Sequence, residues 1–109
     1  MKRNVYCCKR GRGTTLGLLH YGLNQSYEFD DRTLNHLRSV ITGKLLRQER
    51  FVLTWLDGGH QKSIWLHPGA HLAFEFDAAV VPELDRAWLT SLMNQANSPA
   101  GLRLAQANQ

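Results

Sequence analysis

Apolar and polar residues alternate along this chain in short runs broken by turn residues, and twice the alternation gives way to a helical spacing. Leu16 to Tyr21 reads as a strand, and Gly22-Leu23-Asn24 supplies turn residues. Gln25 to Asp30 returns, with Tyr27 and Phe29 on one face, so a hairpin is predicted. Leu34, Leu37, Val40, Ile41 and Leu45 then fall on one helical stripe, while Arg32, Asn35, Arg38 and Ser39 fall elsewhere. Asp30 and Asp31 precede that stripe, where short carboxylates accept from the free N–H groups of a first helical turn.

The second half returns to a period of two. Phe51 to Leu56 is rich in strand-forming residues, Asp57-Gly58-Gly59 is a turn signal, and Lys62 to His67 is the expected partner. Pro68-Gly69 suits the centre of a type II turn, with Gly69 at positive φ. Beyond it Leu72, Phe74 and Phe76 face one way and His71, Ala73, Glu75 and Asp77 the other. Phe51–Asp77 is therefore predicted as a three-stranded antiparallel meander. Ala78–Val81 reads as a connection and Pro82 as the first residue of a helix. Leu84, Ala87, Trp88, Ser91, Leu92 and Ala96 form its stripe, and Asn97-Ser98-Pro99 ends it. Gly101-Leu102-Arg103-Leu104 adds a short last strand. The order β-β-α-β-β-β-α-β is that of an α+β domain, a small antiparallel sheet with two helices packed on one face.

The 109 residues suffice for one domain. The reading divides them into a basic flexible arm (1–15), a domain (16–104) and a tail (105–109). Hydrophobic residues make up 43% and charged ones 20%, which excludes a disordered chain. The net charge of +4 is uneven: Lys2, Arg3, Lys9, Arg10 and Arg12 supply five of thirteen basic groups, leaving eight basic against nine acidic groups elsewhere. The high isoelectric point thus belongs to the arm, and an arm of this kind meets phosphate by releasing counterions. No apolar run is long enough to span a membrane. No secretory signal is read either, so the expected location is the cytoplasm. Cys7 and Cys8 are adjacent, poorly placed to bond each other, and have no zinc partner at CxxC spacing.

Several blocks carry a resemblance. They are Phe29-Asp30-Asp31-Arg32-Thr33-Leu34-Asn35-His36-Leu37, Lys44-Leu45-Leu46-Arg47, Phe51-Val52-Leu53-Thr54-Trp55, Ile64-Trp65-Leu66-His67-Pro68, and the run from Ala87-Trp88-Leu89 to Asn97-Ser98-Pro99-Ala100-Gly101-Leu102. Together they resemble a family of short actinobacterial proteins of unknown function, over about Leu16 to Leu104. Members of that family often carry the label ATP-dependent DNA ligase. A ligase uses the lysine of K-x-D-G as its nucleophile. Here Asp57-Gly58 is preceded by Trp55 where that lysine belongs. The resemblance implies no catalytic residue.

The remaining candidates are few. His67 and His71 flank the Pro68-Gly69 turn and, with His60, form a weak metal candidate lacking an acidic or thiolate ligand at metal spacing. Ser63 and Ser91 have no base at a recognisable spacing, and Asp57, Glu75 and Asp77 do not make a carboxylate pair. Gly11-Arg12-Gly13 lacks the strand and helix of a phosphate loop. No cofactor is expected. Among the tryptophans, Trp55 shares a face with Phe51 and Leu53, and Trp88 lies on the helical stripe; both are predicted core. Trp65 faces away from Ile64 and Leu66, so it is the candidate for an exposed anchor, with Lys62 and Arg103 nearby. The reading is a non-enzymatic binding domain, expected to pair with itself, as a homodimer, or with another protein. A nucleic-acid accessory role, resting on the arm and on Trp65 stacking, is the alternative.

Overall fold

The computed structural model describes residues 16–78 and 82–104. The basic arm, Ala79-Val80-Val81 of the connection and the 105–109 tail lie outside the described residues. The strands β1 (Leu16–Tyr21) and β2 (Gln25–Asp30) form the expected hairpin, and α1 (Asp31–Leu46) follows at once. Then come β3 (Phe51–Asp57), β4 (His60–Leu66), β5 (Leu72–Glu75), α2 (Arg86–Ala96) and β6 (Leu102–Arg103). The class is α+β, in the predicted order.

The strands form two sheets rather than one. The first has the order β2-β1-β5 and the second β4-β3-β6, with β6 parallel to β3. Each sheet turns one face inward. Leu19, Phe29 and Tyr27 of the first meet Phe51, Leu53 and Trp55 of the second, and Trp55 is the joint between them. Its ring lies 5.1 Å from both Tyr27 and Phe29, edge-on to the former. Its indole N–H is buried and unpartnered among the described residues, so packing alone holds it there. The helices close the core. α1 lies on β1 and β2, α2 on β3 and β6, and the helices touch each other. Gly17 lets α1 come close: a Cβ there would stand 2.7 Å from both the Asp31 carboxylate and Leu34.

The meander is not formed. β5 pairs with β1, Phe74 opposite Leu19 and Leu72 opposite Tyr21, and not with β4. The outer edge of β4 is held differently, the Tyr21 hydroxyl donating to the Trp65 carbonyl. Asp31 fixes the far end of β5 instead: its carboxylate accepts the N–H groups of Asp77 and Ala78 at 3.1 and 2.9 Å. Asp31 thus caps a strand exit. Asp30 occupies the N-cap position of α1 without a side-chain capping bond. The Pro68-Gly69 segment carries the chain between the sheets. Its turn is closed by Ala70 N–H to the His67 carbonyl at 2.9 Å. Gly69 is not among the positive-φ glycines, so the turn is not type II.

α2 starts four residues after Pro82. Asp85 is the N-cap, its carboxylate accepting from Trp88 N–H at 3.2 Å. The segment before it is tied to α1, because Asn35 donates to the Pro82 carbonyl at 2.8 Å. Asn35, predicted off the apolar stripe, is therefore buried. His36 beside it is fully buried. Its Nδ1 lies 2.7 Å from the Arg32 carbonyl and its Nε2 accepts Asp85 N–H at 2.8 Å. Nδ1 accordingly carries the proton. Trp88 is half-buried rather than core: its ring lies 4.3 Å from that of His36 and 4.8 Å from the Arg32 guanidinium.

Candidate functional site

The outer face of β4-β3-β6 collects the residues of greatest interest. Strand alternation turns Val52, Thr54 and Leu56 of β3 outward, and the register sets Trp65, Ser63 and Gln61 of β4 beside them in that order. Arg103 of β6 pairs with Thr54 and shares this face. Trp65 is 50% exposed and Leu56 46%. Between these two apolar ends, the Thr54 and Ser63 hydroxyls bond each other at 2.8 Å. The two hydroxyls thus partner each other in the middle of the face, and Arg103 is its one charge among the described residues. A depression beside it is lined by Thr54, Trp55, Leu56, Gln61, Arg103 and Leu104. The buried Gly101 shapes this edge. It takes φ +83°, and a Cβ there would run into the Val52 carbonyl, so only glycine lets the last turn approach β3.

The structure separates the residues grouped with Trp65 from sequence. Arg103 is on its face; Lys62 is not. Lys62 is an odd number of residues from Trp65, so it points to the opposite side of β4. There it pairs with Asp57 at 2.9 Å and lies over the Tyr27 ring. His67 and His71 stand on either side of the Pro68-Gly69 turn. His67 Nδ1 accepts Gly69 N–H at 3.2 Å, while the His71 carbonyl accepts Gly22 N–H at 2.8 Å. Among the described residues no three His, Cys, Asp or Glu side chains gather as a metal site. Lys2, Arg3, Lys9, Arg10 and Arg12 lie outside the described residues.

A second constellation escaped sequence reasoning. On the outer face of the first sheet, His20 Nδ1 is 2.8 Å from Ser26 Oγ, and its Nε2 is 2.9 Å from Glu75 Oε1. Hydroxyl, imidazole and carboxylate stand in hydrogen-bond sequence, drawn from three strands. Sequence spacing hides this because Glu75 reaches His20 only through the β1–β5 pairing. The chemistry of a serine nucleophile also needs donors for an oxyanion and a wall against water. This group lies on an open strand face and links three strands.

Lys44 is the one buried lysine among the described residues. Its Nζ meets Glu49 at 3.0 Å and donates to the Asn97 side chain at 2.7 Å, tying the ends of α1 and α2. The Lys44 hydrogen bond, with help from Arg47, holds the Glu49 carboxyl below its ordinary range.

A family model, described as a domain of unknown function (DUF7882), matches residues 16–107. No curated protein and no solved structure matches the chain. Among the described residues no helix is long and apolar enough to cross a membrane.

Proposed function

We propose that this chain, which belongs to the DUF7882 family, works by binding rather than by catalysis, and that its partner is a second copy of itself. The observation that carries the reading is Trp65, half-exposed at one end of a sheet face whose other end is the exposed Leu56 and whose hydroxyls bond each other. Tryptophan is costly to leave in water and is a frequent anchor of interfaces. We take the setting to be the cytoplasm, where adjacent cysteines such as Cys7-Cys8 stay reduced.

Tryptophan fluorescence tests this cheaply. Trp55 is buried and Trp88 half-buried, so acrylamide quenching reads mainly Trp65. Quenching that falls as protein concentration rises, and no such change in Trp65→Phe, is the expected result. Quenching independent of concentration up to the millimolar range contradicts self-association.

A second reading has one observation in its favour: Arg103 shares the outer face with Trp65, a cation beside a ring that can stack on a base. The ligase label attached to the resembling actinobacterial proteins points the same way. Binding to single-stranded DNA or RNA, weakened steeply by salt and by deletion of residues 1–13, would favour it. No binding at low salt removes it.

A further inference from the structure

We infer that the second copy stacks on the outer face of β4-β3-β6, related by a twofold axis along the strands, and does not extend the sheet at β4. This rests on the self-association proposed above and specifies its geometry.

β4 is an edge strand, so extension is the obvious alternative. Gly58 and Gly59 take φ 63° and 86°, the pair of values a type I′ hairpin turn requires. Such a turn makes Asp57 and His60 a hydrogen-bonded pair. The alternation of an antiparallel ladder then points the backbone groups of Gln61, Ser63 and Trp65 away from β3. The Tyr21 hydroxyl bonded to the Trp65 carbonyl agrees with that phase. Gln61 and Ser63 alone keep both backbone groups for a second β4. Pairing Gln61 with Ser63 of the other copy sets Lys62 directly opposite Lys62, with roughly 5 Å between Cβ atoms, where like charges destabilise. Centring the pairing on Ser63 calls on the carbonyl that Tyr21 holds. Sliding the other way runs into the Gly58-Gly59 turn. An inward charge and a blocked carbonyl are devices by which edge strands avoid one another.

The face has no such obstacle. Two twofold arrangements are open to facing sheets. An axis across the strands lays each strand over its own mate and sets Arg103 against Arg103. An axis along the strands, over β3, lays β4 of one copy over β6 of the other. Arg103 then meets the Ser63 hydroxyl and the Trp65 ring of the second copy, an acceptor and a π face. Val52 meets Val52. Charge selects this arrangement. Its size also sets its strength: strands of at most seven residues, three abreast, give a face of roughly 24 by 14 Å. That is well short of the roughly 800 Å² per partner of a standard interface, so the dimer is weak and reversible.

The experiment is a double-mutant cycle read by analytical ultracentrifugation of the full chain. Arg103→Ala should weaken the dimer about fivefold or more, because the twofold loses two exposed cation–π contacts at once. Trp65→Ala should weaken it more. The double variant should be little worse than Trp65→Ala, because the Arg103–Trp65 contact is lost only once. Lys62→Thr, on the opposite face, should leave the constant unchanged. Suppose instead that Lys62→Thr tightens the dimer, Arg103→Ala does nothing, and the Gln61 and Ser63 amides gain protection from hydrogen exchange on association. The sheet is then extended at its edge, and the inference is overturned while self-association stands. A chain that stays monomeric to millimolar concentration overturns both.

Discussion

The two sheets bury similar inner faces and present opposite outer ones. On the first sheet, His20 bonds Ser26 and Glu75, so the polar groups of three neighbouring strands are linked and charge faces water. On the second, the middle row is a pair of mutually bonded hydroxyls beside Arg103, and the ends are Trp65 and Leu56. A face of the first kind is well solvated and gains little from a partner. A face of the second kind loses little on leaving water, and its large apolar side chains gain from being covered. This contrast supports the proposed binding face without any motif.

The contrast has consequences that can be measured, and the largest concerns the joint between the sheets. Trp55→Ala removes the ring that links Tyr27 and Phe29 to the second sheet and should cost about 3–5 kcal/mol in denaturant unfolding. Trp65→Ala, the same change on the outer face, should stay within about 0.5 kcal/mol. Equal costs would erase the distinction between the two tryptophans. Gly101→Ala comes next, at about 1–3 kcal/mol, because φ +83° and the Val52 carbonyl both oppose a Cβ. A neutral result would show that the last turn can move off β3.

His20→Ala is expected to change stability by about 1 kcal/mol or less, since the Glu75 pair is exposed, and to leave association untouched. A loss of association in that variant would move the binding face to the first sheet. The smallest effect is one of acid. The Glu49 carboxyl titrates lower in the folded chain than in the unfolded one. Its contribution is therefore present above the ordinary value of 4.5 and is lost as pH falls through the depressed one. Stability measured from pH 6 downward should decline less below that value in Glu49→Gln than in the parent chain.

What could be read from residues follows the range of the interactions. β1 and β2 are legible to their ends because a hairpin is a local object, written in Tyr27, Phe29 and the Gly22-Leu23-Asn24 turn. The side of β4 that Trp65 occupies follows from parity against Ile64 and Leu66. The pairing of β5 was hidden, because nothing in Leu72-Ala73-Phe74-Glu75 distinguishes β1 from β4 as a neighbour. Tyr21 and Asp31 decide it from 40 or more residues away. The start of α2 was hidden likewise. Pro82 is a sound first helical residue in isolation, but Asn35 and His36 hold the segment before Asp85 against α1. At the candidate face, parity alone would have separated Lys62 from Trp65, whereas the company of Arg103 depended on β6 pairing with β3.

The most direct test of the central claim is sedimentation equilibrium of the chain and of Trp65→Ala over a wide concentration range. Reversible dimerisation of the parent chain, and its loss in a variant of unchanged stability, is the predicted result. A parent chain that remains monomeric throughout, or a dimer indifferent to Trp65, would contradict it.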